Sequence, residues 1–72
     1  MIFEWEDVPG ANQYIIEISS DPEFKKPEVI ETLLKTQYVW NGYNPQKRYY
    51  WRVASGNTNG RMGLFSEPTE LK

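Results

Sequence analysis

Apolar and polar residues alternate along several short stretches of the chain. Between positions 13 and 19, Tyr14, Ile16 and Ile18 occupy every second position, and the positions between them are polar except for Ile15. Successive side chains of a β-strand point to opposite faces, so this period of two predicts a strand with one buried face. Ile15 is then an apolar side chain on the outer face and a candidate contact residue.

The clearest alternation follows a proline turn in the second half of the chain. The inner face of this segment carries Tyr49, Trp51 and Val53. Tyr50 and Arg52 fall on the other face, which predicts a central strand packed on a core. Pro45 fixes the turn before the strand. Tyr49 is placed to hydrogen-bond the turn backbone with its phenol, as in the tyrosine corner of a β-sandwich.

Four further stretches have the character of strands, and turn-forming residues separate them. They are Phe3 to Glu6, Val29 to Leu34, Thr36 to Trp40 and Leu64 to Lys72. A capping Ser or Asp before Pro22 predicts a helical turn, which Pro27 limits to about one turn. We expect Phe24 to tuck under the edge of the sheets. About six strands with frequent turns predict an all-β antiparallel sandwich forming a single domain, residues 1–72.

Composition narrows the classes of function. The chain has 72 residues, a net charge of −2, eleven aromatic residues and neither Cys nor His. With no disulfide or zinc site to support it, so small a core depends on its aromatic rings. The acidic balance argues against nucleic acid as a partner. Apolar runs of three residues are far shorter than the roughly 20 needed to cross a bilayer, so no membrane insertion is expected.

Several motifs in combination resemble a fibronectin type III domain. They are Trp5, Val8-Pro9-Gly10-Ala11, the strand from Tyr14 to Ser19, Tyr43-Asn44-Pro45 with Tyr49, Val53-Ala54, Gly60 and Phe65-Ser66-Glu67-Pro68. The resemblance implies an immunoglobulin-like sandwich. The segments Asp21 to Phe24 and Tyr49 to Val53 are most similar to bacterial versions from multidomain extracellular proteins. The resemblance therefore also implies an accessory domain outside the cell or in the cell envelope.

The chain departs from that family in three places. Tyr43 stands where the family usually has leucine, and the loop around Arg61 lacks the family's integrin-binding tripeptide. The family also has a strand, called A, before the strand that carries Trp5. We expect strand A to be missing here because the chain is truncated at its N-terminus, or to be supplied by another segment. Otherwise the edge of the Phe3 to Glu6 strand is open to self-association. We accordingly expect low stability or self-association of the isolated chain.

Chemistry-bearing residues are few. Glu4, Glu6 and Asp7 are close carboxylates, and Glu4 and Glu6 share a spacing that suits an acid–base pair or calcium. An exposed strand face carries the same pattern, and we favour that interpretation. No histidine is available to activate a serine, so we expect no catalytic residues, no metal and no cofactor, and therefore no enzyme.

The candidate partner-binding residues are Ile15, Tyr50, Arg52 and Arg61. In the alternative interpretation, Arg52 pairs with Glu17 and Tyr50 covers Ile15 across adjacent strands. Our first hypothesis is a non-catalytic spacer and protein-interaction module that contacts neighbouring domains of its own chain or another protein. The second is a carbohydrate-binding module that stacks polysaccharide on exposed aromatic rings. Tyr43 and Trp40 are the candidate rings, and in the alternative interpretation both are buried in the core.

Overall fold

The computed structural model describes residues 1–56, 63 and 65–71 as an all-β chain without a helix. Its strands are β1 (Ile2–Glu4), β2 (Gln13–Ser19), β3 (Val29–Leu33), β4 (Gln37–Val39), β5 (Tyr49–Gly56) and β6 (Thr69–Leu71). All strand pairs are antiparallel. The prediction of six strands in antiparallel sheets is confirmed. The last strand is shorter than expected, because it begins after Pro68, a residue without a backbone N–H to donate.

The strands form two sheets of unequal size. The small sheet pairs β1 with β4, and the large sheet has the order β3-β2-β5-β6. In the large sheet, Ile16 lies opposite Val53 and Ile18 opposite Trp51. One face of the large sheet therefore carries the apolar residues that the alternation predicted.

One hydrophobic core joins the two sheets. Its buried members are Phe3, Ile16, Ile18, Trp40 and Tyr49. The rings of Phe3 in β1 and Trp51 in β5 lie 5.0 Å apart, and those of Trp40 and Tyr49 meet edge to face at 4.8 Å. Such ring pairs add to the stabilisation from area burial alone, which suits a chain of this length. The arrangement is a small, β-sandwich-like body.

The segment after β2 is a single turn and not a helix. The N–H of Phe24 donates to the carbonyl of Asp21, and the Asp21 carboxylate accepts from the N–H groups of Glu23 and Lys25 at 3.0 and 3.3 Å. The hydrogen bond from Glu23, with a smaller contribution from Lys25, holds the pKa of Asp21 below its usual value. Phe24 has a φ of 56°, the left-handed region. This turn directs its ring onto the outer face of the large sheet, where it is buried.

The expected tyrosine corner is not formed. Tyr49 is buried, but the hydrogen bonds of the described residues include none from its phenol to the preceding turn. That turn is closed by Asn44, whose carbonyl accepts from Lys47 N and whose side-chain oxygen accepts from Gln46 N, both at 3.0 Å. The Tyr49 ring instead packs against Trp40 and Tyr43. Packing of three rings has replaced the hydrogen bond.

Candidate functional site

Arg52 is held between two aromatic rings on the outer face of the large sheet. Its guanidinium carbon lies 4.2 Å from the centre of the Phe24 ring and 4.3 Å from that of Phe65. Both Nε and Nη2 donate to Glu17 Oε1, at 2.9 and 2.8 Å. The pairing of Arg52 with Glu17 is thus confirmed. Three groups, two rings and one carboxylate, engage this guanidinium internally, so Arg52 stabilises the fold rather than offering a free cation to a partner.

The other predicted contact residues do not gather around Arg52. Tyr50 is half-buried and lies opposite Ser19 and Glu70. Ile15 is also half-buried and lies opposite Ala54, four positions further along β5, which is about 13 Å at the rise of a strand. The expectation that Tyr50 covers Ile15 is therefore wrong, because antiparallel strands that pair Glu17 with Arg52 place Ile15 opposite Ala54. Arg61 lies outside the described residues.

The aromatics proposed for sugar stacking belong to the core. Trp40 is 7% exposed and contacts Tyr43 and Tyr49. Tyr43 is half-buried against the same two rings. Trp40 therefore has almost no surface that a sugar ring could cover, and the core-packing alternative holds for it. Tyr43 packs on the same core and keeps part of its surface exposed.

An open cleft lies between the sheets on the β1 side of the molecule, and the sequence alone did not indicate it. Its volume is about 280 Å³. The lining is mostly aromatic and apolar, with a carboxylate and two hydroxyls at the margin: Trp5, Glu6, Val8, Tyr14, Trp51, Val53, Ser55 and Ser66. No residue of β4 contributes to the lining. None of the lining residues belongs to β1 either, but Trp5, Glu6 and Val8 come from the segment that follows it.

The two indoles of the cleft are tilted and braced by other rings. Trp5 and Trp51 lie 6.4 Å apart at 47° to each other. Trp51 also contacts Phe3, and Trp5 meets Tyr14 edge to face at 5.9 Å. The indole N–H of Trp5 is buried and has no hydrogen-bond partner. The rings form a concave apolar wall and are not coplanar.

A hydrogen-bonded tyrosine fixes the loop at the mouth of the cleft. The Tyr14 hydroxyl accepts from the N–H of Val8 at 3.0 Å and donates to Asp7 Oδ1 at 2.6 Å. The bond to Asp7 raises the pKa of the Tyr14 phenol, because ionisation would place two anions in contact. The loop after β1 is thereby held against β2, and Val8 stays at the cleft with 42% of its surface exposed.

β1 has one edge without a partner strand among the described residues, and the strand ends next to Trp5 of the cleft. Trp40 N donates to the carbonyl of Met1 at 2.8 Å, and Trp5 N donates to the carbonyl of Thr36 at 3.1 Å. Backbone groups of an antiparallel strand face its neighbour at every second residue. The odd-numbered residues therefore bond to β4, and the N–H and C=O groups of Ile2 and Glu4 point to the opposite edge. Among the described residues, β1 has β4 as its one paired strand.

The three clustered carboxylates have separate places. Glu4 is exposed on the outer face of the small sheet, Glu6 is at the cleft margin and Asp7 bonds to Tyr14. Among the residues that the structure describes, no three acidic, His or Cys side chains are grouped to hold a metal ion. The three carboxylates nevertheless give the β1 side of the molecule a negative charge.

Comparisons with known proteins returned no relative. Neither the protein-family models, nor the curated proteins, nor the solved structures compared with this chain gave a match. In the described part of the chain, no helix is long and apolar enough to cross a membrane.

Proposed function

We propose that this chain is a non-catalytic, fibronectin-III-like module that serves as a spacer and protein-interaction domain in a larger bacterial extracellular or cell-envelope protein. Its contact surface is the cleft of Trp5, Val8, Trp51 and Val53. Two antiparallel sheets packed over one core support the proposal, since immunoglobulin-like sandwiches are also built from two such sheets, although the small sheet here has only two strands within the described ranges. A longest dimension of 39 Å suits a spacer.

The observation that carries the interaction role is the cleft itself. Exposed apolar surface of this kind often marks a contact site, and concave, mostly apolar sites with a few polar groups are where proteins bind partners. The volume of about 280 Å³ lies just below the range of about 300–1,000 Å³ for small-molecule sites. It suits one or two apolar side chains of a peptide. Protein contact is therefore favoured over the second candidate, polysaccharide.

The role of Arg52 and Tyr50 changes in this proposal. Arg52 is engaged by Glu17 and two rings, and Tyr50 is half-buried beside Ser19 and Glu70. Contact surfaces favour side chains that are exposed before binding and lie around a concave centre. The cleft meets that description better than the outer face of β5 does.

Binding measured on a matched pair of variants tests the proposal. Val8 lies at the cleft and Val39 on the outer face of the small sheet, and their exposures are 42% and 55%. Peptides selected from a random display library should bind the parent chain saturably. Val8→Lys should weaken this binding at least about tenfold, because an ammonium enters an apolar cleft, whereas Val39→Lys should leave it unchanged. Equal effects of the two variants would contradict the proposal.

The same pair separates the two candidate functions. Soluble polysaccharides can be titrated against the tryptophan fluorescence of the chain. Saturable quenching that Val8→Lys abolishes, with no peptide bound, would replace the protein-interaction role by the carbohydrate-binding one.

A further inference from the structure

We infer that the cleft and the free edge of β1 together accept one additional β-strand, supplied by an extended peptide of another protein with alternating apolar and basic residues. The inference rests on the proposed interaction role and specifies its mode. It follows from three features of the described residues: backbone groups of β1 without a partner strand, an apolar cleft next to the end of β1, and a negative margin.

The backbone groups set the mode of binding. The N–H and C=O groups of Ile2 and Glu4 point away from β4, which is the arrangement that a further strand needs. Addition of a strand to an exposed sheet edge supplies affinity through main-chain hydrogen bonds, and pockets for every second side chain supply specificity. Four backbone groups are available on β1. A ligand that binds by side chains alone would leave all four unused.

The cleft sets the apolar half of the ligand pattern. Phe3 and Trp5 point from the small sheet into the core, so the side chains of an added neighbouring strand that share their direction would point the same way. Trp5 follows β1 directly and lines the cleft together with the β5 residues Trp51 and Val53, so the cleft adjoins the Glu4 end of this edge strand. An inward side chain at that end of the added strand would reach the cleft. Alternate apolar side chains are therefore required.

Charge sets the other half of the pattern. The outward side chains of an added strand would lie beside Glu4, and its ends would pass Glu6 and Asp7. Opposite charges on neighbouring strands attract, and like charges repel. Lysine or arginine at the outward positions of the added strand would form ion pairs with these carboxylates. A second copy of this chain is the less suitable occupant, because pairing β1 with itself would bring both sets of carboxylates to one edge.

The probe is a seven-residue peptide, Lys-Val-Lys-Val-Lys-Val-Lys, with a glutamate-for-lysine version as its control. We expect the lysine peptide to bind and to slow hydrogen exchange of the Ile2 and Glu4 amides. The Glu4→Gln variant should weaken binding about two- to fivefold. The glutamate peptide should bind at least tenfold more weakly. Equal binding of the two peptides would overturn the basic half of the inference.

Backbone methylation tests the strand mode directly. Methyl groups on alternate backbone nitrogens of the lysine peptide remove the N–H groups of one edge. Methylation of one alternate set should weaken binding at least about tenfold, through loss of two or more hydrogen bonds, while methylation of the other set should not. Binding that tolerates both sets, or that leaves the Ile2 and Glu4 amides unprotected, would overturn the strand mode and leave the interaction role intact.

Two further outcomes are decisive. Sedimentation of the parent chain as a dimer that the lysine peptide dissociates would make a second copy the occupant and overturn the choice of partner. Failure of this peptide, of library peptides and of polysaccharides to bind at all would remove the interaction role together with this inference.

Discussion

Replacement of Arg52 by alanine should destabilise the domain far more than a surface arginine would. The guanidinium lies 4.2 and 4.3 Å from the ring centres of Phe24 and Phe65. Cation–π contacts contribute about 0.5–1 kcal/mol each at partly exposed sites. The two rings together therefore account for about 1–2 kcal/mol of the free energy of unfolding.

The ion pair with Glu17 adds to this loss. The side chains of Arg52 and Glu17 are 27% and 13% exposed, between a surface pair and a buried one. Exposed pairs contribute about 0.2–1 kcal/mol, and removal of one partner from a buried pair costs about 3–5 kcal/mol. An intermediate value of about 1–2 kcal/mol brings the total for Arg52→Ala to about 3 kcal/mol. For a chain of this length the whole stability is about 4–11 kcal/mol.

Thermal and urea unfolding measure the effect. A loss of about 3 kcal/mol corresponds to a fall in Tm of about 12–24 °C in a domain of this size. Arg48→Ala is the matched control, since Arg48 and Glu70 are 3.9 Å apart with side chains 82% and 37% exposed. That variant should lose less than about 0.5 kcal/mol. Equal losses for the two arginine variants would refute the reasoning.

A second comparison separates the rings from the charge. Arg52→Lys keeps a cation beside Glu17 but loses the planar group that stacks between the rings, so it should lose about half as much as Arg52→Ala. Arg52→Met combined with Glu17→Gln removes both charges and keeps a flexible side chain against the rings. It should be more stable than Arg52→Ala, because no carboxylate is left unpaired.

Three further predictions concern single positions. Gly42→Ala should cost about 1–3 kcal/mol in urea unfolding, because its Cβ would lie 2.7 Å from Nε1 of the buried Trp40; an unchanged midpoint would show that the ring yields. The raised pKa of Tyr14 means that its contribution to stability is complete below its ordinary pKa of 10.0 and is lost as pH rises through the folded value, so Tyr14→Phe should flatten the alkaline limb of the stability curve. The lowered pKa of Asp21 means that its contribution is complete above the ordinary value of 3.8 and is lost as pH falls through the folded value; Asp21→Asn should flatten the acid limb, and an unaltered limb would contradict the assignment.

The pattern of alternation was sufficient for the strands and their faces. Tyr14, Ile16 and Ile18 lie inside because a strand has a period of two and one face is buried. The same rule placed Glu17 and Arg52 on the outer faces of neighbouring strands. Their opposite charges then predicted the ion pair that the structure contains. The period of a strand, and the face on which each of its residues lies, depend only on nearby residues. They can therefore be predicted from one sequence.

Contacts along a strand pair, turns and sheet size were not obtained from the alternation. The contact of Tyr50 with Ile15 failed because the antiparallel pairing of Glu17 with Arg52 places Ile15 opposite Ala54, and the alternation of faces does not contain the direction of the strands. Phe24 was expected at the edge of the sheets, and its positive φ directs it instead onto Arg52. The tyrosine that hydrogen-bonds to a turn is Tyr14 and not Tyr49. Its hydroxyl donates to the carboxylate of Asp7 in the turn after β1. The cleft forms because a sheet of two strands covers only part of a sheet of four strands. This depends on how the sheets pack, which the alternation along single strands does not specify.

The unequal sheets also separate stability from binding. Arg52, Phe24 and Phe65 lie on the outer face of the large sheet, and the cleft is lined by Trp51 and Val53 on its inner face. The side chains of the two groups point to opposite faces of the sheet, although Arg52 lies between Trp51 and Val53 in the chain, so we expect Arg52→Ala to change ligand affinity at the cleft little. A ligand at 100 times its Kd stabilises a folded protein by about 2.7 kcal/mol. Occupation of the cleft would thus offset nearly all of the loss from Arg52→Ala, although the ligand never contacts the substituted residue.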